Sequence, residues 1–170
     1  MVRLAVKIRD ARADELDEVA GVIKNAYSQY RTAMPPGEWR MYLHDITDVR
    51  SRLDHARLIV AEVDGEVVGT VTLYIDAAHV QEAGWPEGWA GVRILAVRTA
   101  FRGRGIGRAL MEECVQRSRE RGVKTIGLHT TELMDVARRM YERMGFARAP
   151  GFDFNPAPGI VVMAYRLDLR

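Results

Sequence analysis

Residues 102–108 read Arg-Gly-Arg-Gly-Ile-Gly-Arg and lead straight into the helix formers Ala109-Leu110-Met111. Glycine lets backbone approach a ligand closely and adopt φ values that a Cβ forbids. A helix starting behind such a loop leaves its first N–H groups unpaired and carries roughly half a positive charge at that end. Together Gly103, Gly105 and Gly107 make a nest for an anion, most naturally a phosphate or diphosphate. Arg102, Arg104 and Arg108 strengthen the positive field around it. A P-loop would need GxxxxGK[ST], and this loop has no lysine and no following Ser or Thr. A dinucleotide fingerprint would need GxGxxG and an acidic residue closing the next strand, where this chain has Leu128-His129-Thr130. A tight strand-to-helix turn with surface arginines is the alternative that spacing alone leaves open.

The elements around the loop follow from hydrophobic period. Leu4–Ala11 alternates like a strand, and Asp14 caps a helix running to about Tyr30 with Leu16, Val19, Ala20, Ile23 and Ala26 on one face. Pro35-Pro36-Gly37 breaks the chain before a less regular helix from Glu38 to about Leu53. Arg57–Val63, Asp64-Gly65 and Glu66–Asp76 read as a hairpin, because Asp-Gly supplies the positive φ angles of a tight primed turn. An irregular loop over Ala77–Gly88 precedes the strand Trp89–Val97, which enters the glycine loop. A helix from about Gly105 to Arg121 ends at Gly122. The strand Lys124–Thr130, a helix over Asp135–Met144 ended by Gly145, and a last strand over Ile160–Leu169 complete the order βααβββαβαβ. The strands before and after the glycine-loop helix form a crossover unit and should lie parallel. The hairpin adds antiparallel strands, so the expected fold is a mixed α/β sheet with helices on both faces.

Composition bounds the function. The 170 residues are about one domain, 1–170, with 48% apolar and 28% charged residues. A net charge of +2 is too small to argue for nucleic acid. No apolar run approaches the ~20 residues of a membrane span, and the N-terminal stretch has no signal-peptide core. Cys114 is the single cysteine and has no internal disulfide partner, which points to a reducing cytoplasm. No metal-ligand spacing is present.

Ile94–Met111, with Arg102-Gly103-Arg104-Gly105-Ile106-Gly107 at its centre, resembles the signature of the GNAT superfamily of N-acetyltransferases. Ile8–Ile23 is similar to that family's first strand and helix. Ala137–Phe146 is similar to its segment A-x-x-x-Y-E-x-x-G-F. The resemblance spans nearly the whole chain in the right order. It implies a mostly antiparallel sheet whose central parallel pair splays around acetyl-CoA. The loop Arg102–Arg108 would hold the pyrophosphate, and the backbone of Leu95, Ala96 and Val97 would hold the pantetheine arm like an added strand. A bulge in that strand would point one N–H at the acetyl carbonyl.

Acyl transfer to an amine needs an uncharged nucleophile, a stabilised oxyanion and a proton for the leaving thiolate. The resemblance makes Tyr141 the general acid, since a phenol of pKa ~10 stays protonated at neutral pH; a core tyrosine is the alternative. Many relatives carry a glutamate at the position of Gly91, so the base must come from elsewhere. His129 has a suitable pKa and is the first candidate, with Glu82 and Glu87 behind it. A substrate amine of low pKa would need no base. The family's frequent asparagine is Met134 here, and Thr131 or Asp135 could replace its cofactor contact.

Arg93 could pair with an acidic group of the acceptor or be a solvated edge residue. Tyr27, Tyr30, Trp39 and Trp85 fall where the family builds its acceptor pocket, and packing is the equal alternative. Asp153 and Phe154 lie in the Pro/Gly-rich Ala149–Gly159, to which no motif assigns a role. The expected activity is acetyl transfer from acetyl-CoA to a small-molecule or peptide amine, without nucleic acid or membrane partners and with a homodimer left open. A non-catalytic acyl-CoA sensor on the same fold is the rival reading. Cys114 falls on an inner helix face and is not expected to carry the acetyl group.

Overall fold

A computed structural model describes residues 4–80, 83–157 and 159–170. Its strands are β1 (Lys7–Asp10), β2 (Arg57–Val63), β3 (Glu66–Tyr74), β4 (Trp89–Val97), β5 (Thr125–Thr131), β6 (Ala147–Arg148), β7 (Phe154–Ala157) and β8 (Ile160–Asp168). The helices are α1 (Leu16–Tyr27), α2 (Pro36–Thr47), α3 (Ile106–Glu120) and α4 (Asp135–Arg143). Strand order is β1-β2-β3-β4-β5-β8-β6, with β7 on β8. The β4–β5 pair is parallel, while β1–β2, β2–β3, β5–β8, β6–β8 and β7–β8 are antiparallel. This is the mixed, mostly antiparallel α/β sheet expected from the sequence. The chain forms two compact units, residues 1–73 with 94–113, and 74–93 with 114–170.

In the first unit the hairpin turn is as expected: Asp64 and Gly65 take φ of 50° and 79°. Helix α1 is shorter than its apolar period suggests, giving way to a 3₁₀ turn over Ser28–Ala33. The carboxylate at its entrance is Glu15 rather than Asp14, accepting the Arg12 N–H at 2.8 Å. Glu15 also receives Arg9, whose guanidinium bridges it at 2.6 Å and Glu62 at 2.8 Å, tying β1, β2 and the start of α1 together. Helix α2 starts at Pro36 itself, because proline suits the first helical position, where no N–H is required. It stops at Thr47, where the buried Arg52 guanidinium donates to the carbonyls of Ile46 and Asp45. A cation on the last carbonyls is the favourable end of the helix dipole. Val19, Val22, Ile23, Ile46, Ile59, Val71, Ile106 and Leu110 fill the core. Gly69 of β3 admits α3 closely: a Cβ there would lie 3.1 Å from both Ile106 and Leu110.

In the second unit β5 lies between Trp89–Val92 of β4 and the long β8. The stretch 149–159, read from sequence as a connection, holds a 3₁₀ turn and the short strand β7. Asp153 fixes it. Its carboxylate takes two bonds from Arg148, at 2.7 and 2.6 Å, and the Ala164 N–H of β8 at 2.7 Å. Arg148 holds that carboxyl below its ordinary pKa. Gly122 and Gly145, at φ of 73° and 99°, end α3 and α4 as expected.

Candidate acyl-transfer site

The glycine loop belongs to the first unit. Strand β4 reaches it through Ile94, whose φ of 55° is an outlier for a β-branched residue and marks an irregularity in the strand. The end of α1 holds the next residues. Tyr27 donates to the Leu95 carbonyl at 3.3 Å, and the Asn25 side chain accepts the Thr99 N–H at 2.9 Å. Arg102 donates to the Ala26 carbonyl at 3.0 Å and to Gln29 at 3.3 Å. Its side chain therefore caps α1, and what Arg102 gives the loop is a fixed position. Arg104 lies over the Phe101 ring at 5.2 Å, and Arg108 pairs with Glu112 at 2.8 Å.

Gly103 and Gly105 have φ of 74° and 79°, and a Cβ on either would meet nothing within 4 Å. Backbone conformation, not crowding, demands glycine there, and the loop is open on its outer side. Ala109 N–H to Gly105 C=O, at 3.0 Å, is the start of the helical ladder. The amides of Ile106, Gly107 and Arg108 precede it at a positive helix end. These features fit a diphosphate.

The other expected residues belong to the second unit. Tyr141 on α4 is buried, with its ring 5.8 Å from that of Phe146. His129 on β5 is half-buried and sits 4.6 Å from Trp85 in a stacked arrangement. Its Nε2 lies 2.9 Å from the Phe152 carbonyl oxygen. A carbonyl only accepts, so Nε2 carries the hydrogen and Nδ1 the lone pair. Burial pushes the His129 pKa down, with Arg93 adding to the effect. Register puts His129 opposite Ala164 and Leu128 opposite Tyr165, so His129 and Tyr165 point to opposite faces. Tyr165 donates to Glu142, beside Tyr141, at 2.9 Å. Tyr141 and His129 are thus on opposite sides of the sheet.

Glu87 is exposed, and Glu82 lies outside the described residues. Arg93 is half-buried, its charge acting on His129. Of the two residues considered in place of the family asparagine, Asp135 is taken by Arg138 and Arg139 of its own helix. The Thr131 hydroxyl is buried without a hydrogen-bond partner, which fits a polar contact with a bound ligand. Tyr27, Tyr30, Trp39 and Tyr42 form one aromatic group in the first unit, while Trp85 packs in the second. Sequence reasoning missed the Phe152 carbonyl and Gly127. Backbone carbonyls carry no sequence signal, and a glycine inside a strand is the one visible mark of close approach. Among the described residues no group of His, Cys, Asp and Glu could hold a metal, and no helix is long and apolar enough to cross a membrane.

Residues 23–146 match the model of the acetyltransferase (GNAT) family. The chain is 30% identical over 138 residues to a mycothiol acetyltransferase of Propionibacterium freudenreichii subsp. shermanii, covering 80% of this chain and 41% of that protein. It is 30% identical over 130 residues to a probable N-acetyltransferase, camello, of Xenopus laevis, covering 74% of this chain and 56% of that one. The chain thus spans about half the length of these curated relatives. In fold it resembles the PaiA N-acetyltransferase of Thermoplasma acidophilum, solved in complex with coenzyme A. The TM-score is 0.72 at 15% identity, over 95% of this chain and 98% of that one. The glycine loop behind an irregular β4, the parallel β4–β5 pair and the match over 23–146 lead to one conclusion: the chain belongs to the GNAT family of acetyltransferases.

Proposed function

We propose that this chain is an acetyl-CoA-dependent N-acetyltransferase, acting as one domain over 1–170 on a primary amine of a small molecule or peptide. The observation that carries this reading is the open loop at Gly103 and Gly105, which places helix-start amides behind two left-handed glycines. Acetyl-CoA supplies the activated acetyl group as a thioester. The amides of Gly103–Arg108 grip its diphosphate, and the backbone of Leu95–Val97 runs along its pantetheine arm. The irregularity at Ile94 turns a β4 N–H toward the acetyl oxygen, where charge develops. The acceptor nitrogen forms its bond to the carbonyl carbon as the C–S bond breaks. Tyr141 gives its hydroxyl proton to the departing sulfur, and His129 takes the excess proton from the nitrogen through Nδ1. The two groups serve different atoms, so their placement on opposite faces of the sheet suits the division. Cys114, buried and the single cysteine of the sequence, forms no internal disulfide, which suits a reducing cytoplasm.

The test is thermal unfolding with saturating acetyl-CoA, with ATP and NAD as controls, followed by thiol release with a panel of amines. Ligand at a hundredfold excess over Kd adds about 2.7 kcal/mol, roughly 5–10 °C in Tm at this size. A shift with acetyl-CoA alone and amine-dependent thiol release support the enzyme. A shift without thiol release would support the acyl-CoA sensor instead, and an equal shift with ATP would reduce the loop to a generic phosphate nest.

A further inference from the structure

Trp85 comes from an irregular loop, yet only 8% of it is exposed. The reason is a pair of glycines. Gly91 of β4 and Gly127 of β5 are register partners on the parallel pair. A Cβ on Gly127 would stand 2.8–2.9 Å from three ring atoms of Trp85, so the indole lies directly on the Gly127 backbone. A Cβ on Gly91 would come within 2.7 Å of Val80 and 3.8 Å of Trp85. Val80 and Trp85 therefore rest in a slot that exists only because both strands give up a side chain there.

His129 follows Gly127 by two residues and projects from the same face. Its ring lies 4.6 Å from the indole with 26° between planes, and Trp89 also stacks on Trp85, at 5.4 Å and 24°. Arg166 stacks on Trp89 at 4.9 Å, and the Phe154 ring meets the imidazole edge-on at 5.1 Å. Phe152 touches both indoles, and its carbonyl accepts from Nε2. That carbonyl is itself placed by Asp153, bound to Arg148 and to the Ala164 N–H. The imidazole is thus fixed in plane by the indole and in tautomer by a carbonyl, which leaves Nδ1 with the lone pair.

We propose that Trp85, seated on the Gly91–Gly127 pair, is a positioning residue that, with the Phe152 carbonyl, holds His129 so that Nδ1 receives the acceptor amine's proton. This rests on the N-acetyltransferase reading above. The charged groups acting on the ring are Arg93 of β4, which opposes the imidazolium, and Asp153, which favours it. Burial outweighs both the Phe152 carbonyl and Asp153, which is already paired with Arg148, so the His129 pKa is pushed below its ordinary value, toward the neutral ring that can accept a proton. The indole face receives the charge once the proton has moved.

The experiment combines histidine ¹⁵N NMR of the full chain with the pH–rate profile of thiol release, for wild type, Trp85→Phe, Trp85→Leu and Gly127→Ala. Wild-type His129 is expected as the single Nε2–H tautomer. Trp85→Leu, which removes the ring, and Gly127→Ala, which drives a methyl into it, should give mixed tautomers. Both should lower kcat/KM by about tenfold or more and move the acidic limb up toward the ordinary histidine value. Trp85→Phe should restore the single tautomer and most of the rate. Because Gly127→Ala strains the sheet, Trp85→Leu is the deciding variant. A single tautomer and an unmoved acidic limb in Trp85→Leu would overturn the proposal. So would mixed tautomers with a wild-type pH profile, since the holder would then exist without serving catalysis. Absence of thiol release from wild type with every amine defeats the acetyltransferase reading itself, and the NMR result then reports separately whether Trp85 sets the tautomer.

Discussion

Gly91 and Gly127 face each other across the parallel β4–β5 pair, and a methyl group on either would collide with the loop that covers them, at Val80 or at Trp85. That relationship bears on Gly91, where the family resemblance implies a glutamate. The space a side chain would need is filled by Val80, so Gly91→Glu should disrupt packing rather than install a base. Gly91→Ala and Gly127→Ala should each destabilise by about 1–3 kcal/mol through overpacking. Urea unfolding should show a lower midpoint with an unchanged m-value.

Gly105→Ala probes the anion loop. Its methyl group meets no neighbour, so the substitution acts only through the left-handed φ of 79°. That strain is about 1–2 kcal/mol. If the loop relaxes to relieve it, acetyl-CoA affinity by calorimetry should fall by roughly tenfold, which corresponds to about 1.4 kcal/mol. Wild-type affinity in this variant would remove the loop from the binding site.

Tyr141→Phe keeps the ring that packs on Phe146 and removes the hydroxyl. The expected result is a fall in kcat of about 10²-fold with KM for acetyl-CoA unchanged. A thioester whose thiol has a low pKa should narrow the gap, because that thiolate leaves without a proton. An equal loss with both thioesters would assign Tyr141 to packing.

The Arg9–Glu15–Glu62 group sets part of the acid stability. Arg9 holds the Glu15 carboxyl down to about 2, against an ordinary 4.5. A carboxylate depressed in the folded state stabilises fully above its unfolded pKa, and that stability drains away as pH falls toward the folded one. Melting temperature should therefore decline between roughly pH 5 and pH 2. In Glu15→Gln the decline should be shallower and the neutral-pH Tm already lower, by the loss of charge-assisted bonds worth roughly 1–3 kcal/mol.

Cys114 is fully buried, at 0% exposure, in α3. A thiol reagent should modify it only after unfolding, so labelling under native conditions should be slow and should accelerate through the urea transition. Rapid labelling of the native protein would contradict that burial, and acetyl transfer lost in a folded Cys114→Ser would contradict direct attack by the acceptor amine.

Much of this molecule is local and therefore readable in order along the chain. Asp64-Gly65 specifies its hairpin because both residues tolerate positive φ. Gly103 and Gly105 announce the open loop for the same reason, and Gly122 and Gly145 the ends of two helices. The errors lie where tertiary partners overrule local preference. Helix α2 begins on a proline that reads as a break and ends where Arg52 caps it, six residues short of the expected Leu53. Strand β7 forms in a Pro/Gly-rich stretch because Asp153 is anchored to Arg148 and Ala164.

The sequence by itself determined the family pattern, the order of elements and the residue types that could move protons. Each of these depends on neighbours a few positions apart, through φ, helical period and strand alternation. Only the tertiary structure decided that Arg102 caps α1, that Asp135 is taken by its own helix, and that the Phe152 carbonyl lies against the His129 Nε2. Those outcomes depend on backbone carbonyls and ring faces contributed by distant stretches of chain. A carbonyl is the same in every residue, so its arrival beside one imidazole nitrogen leaves no trace in the sequence until the fold brings the two together.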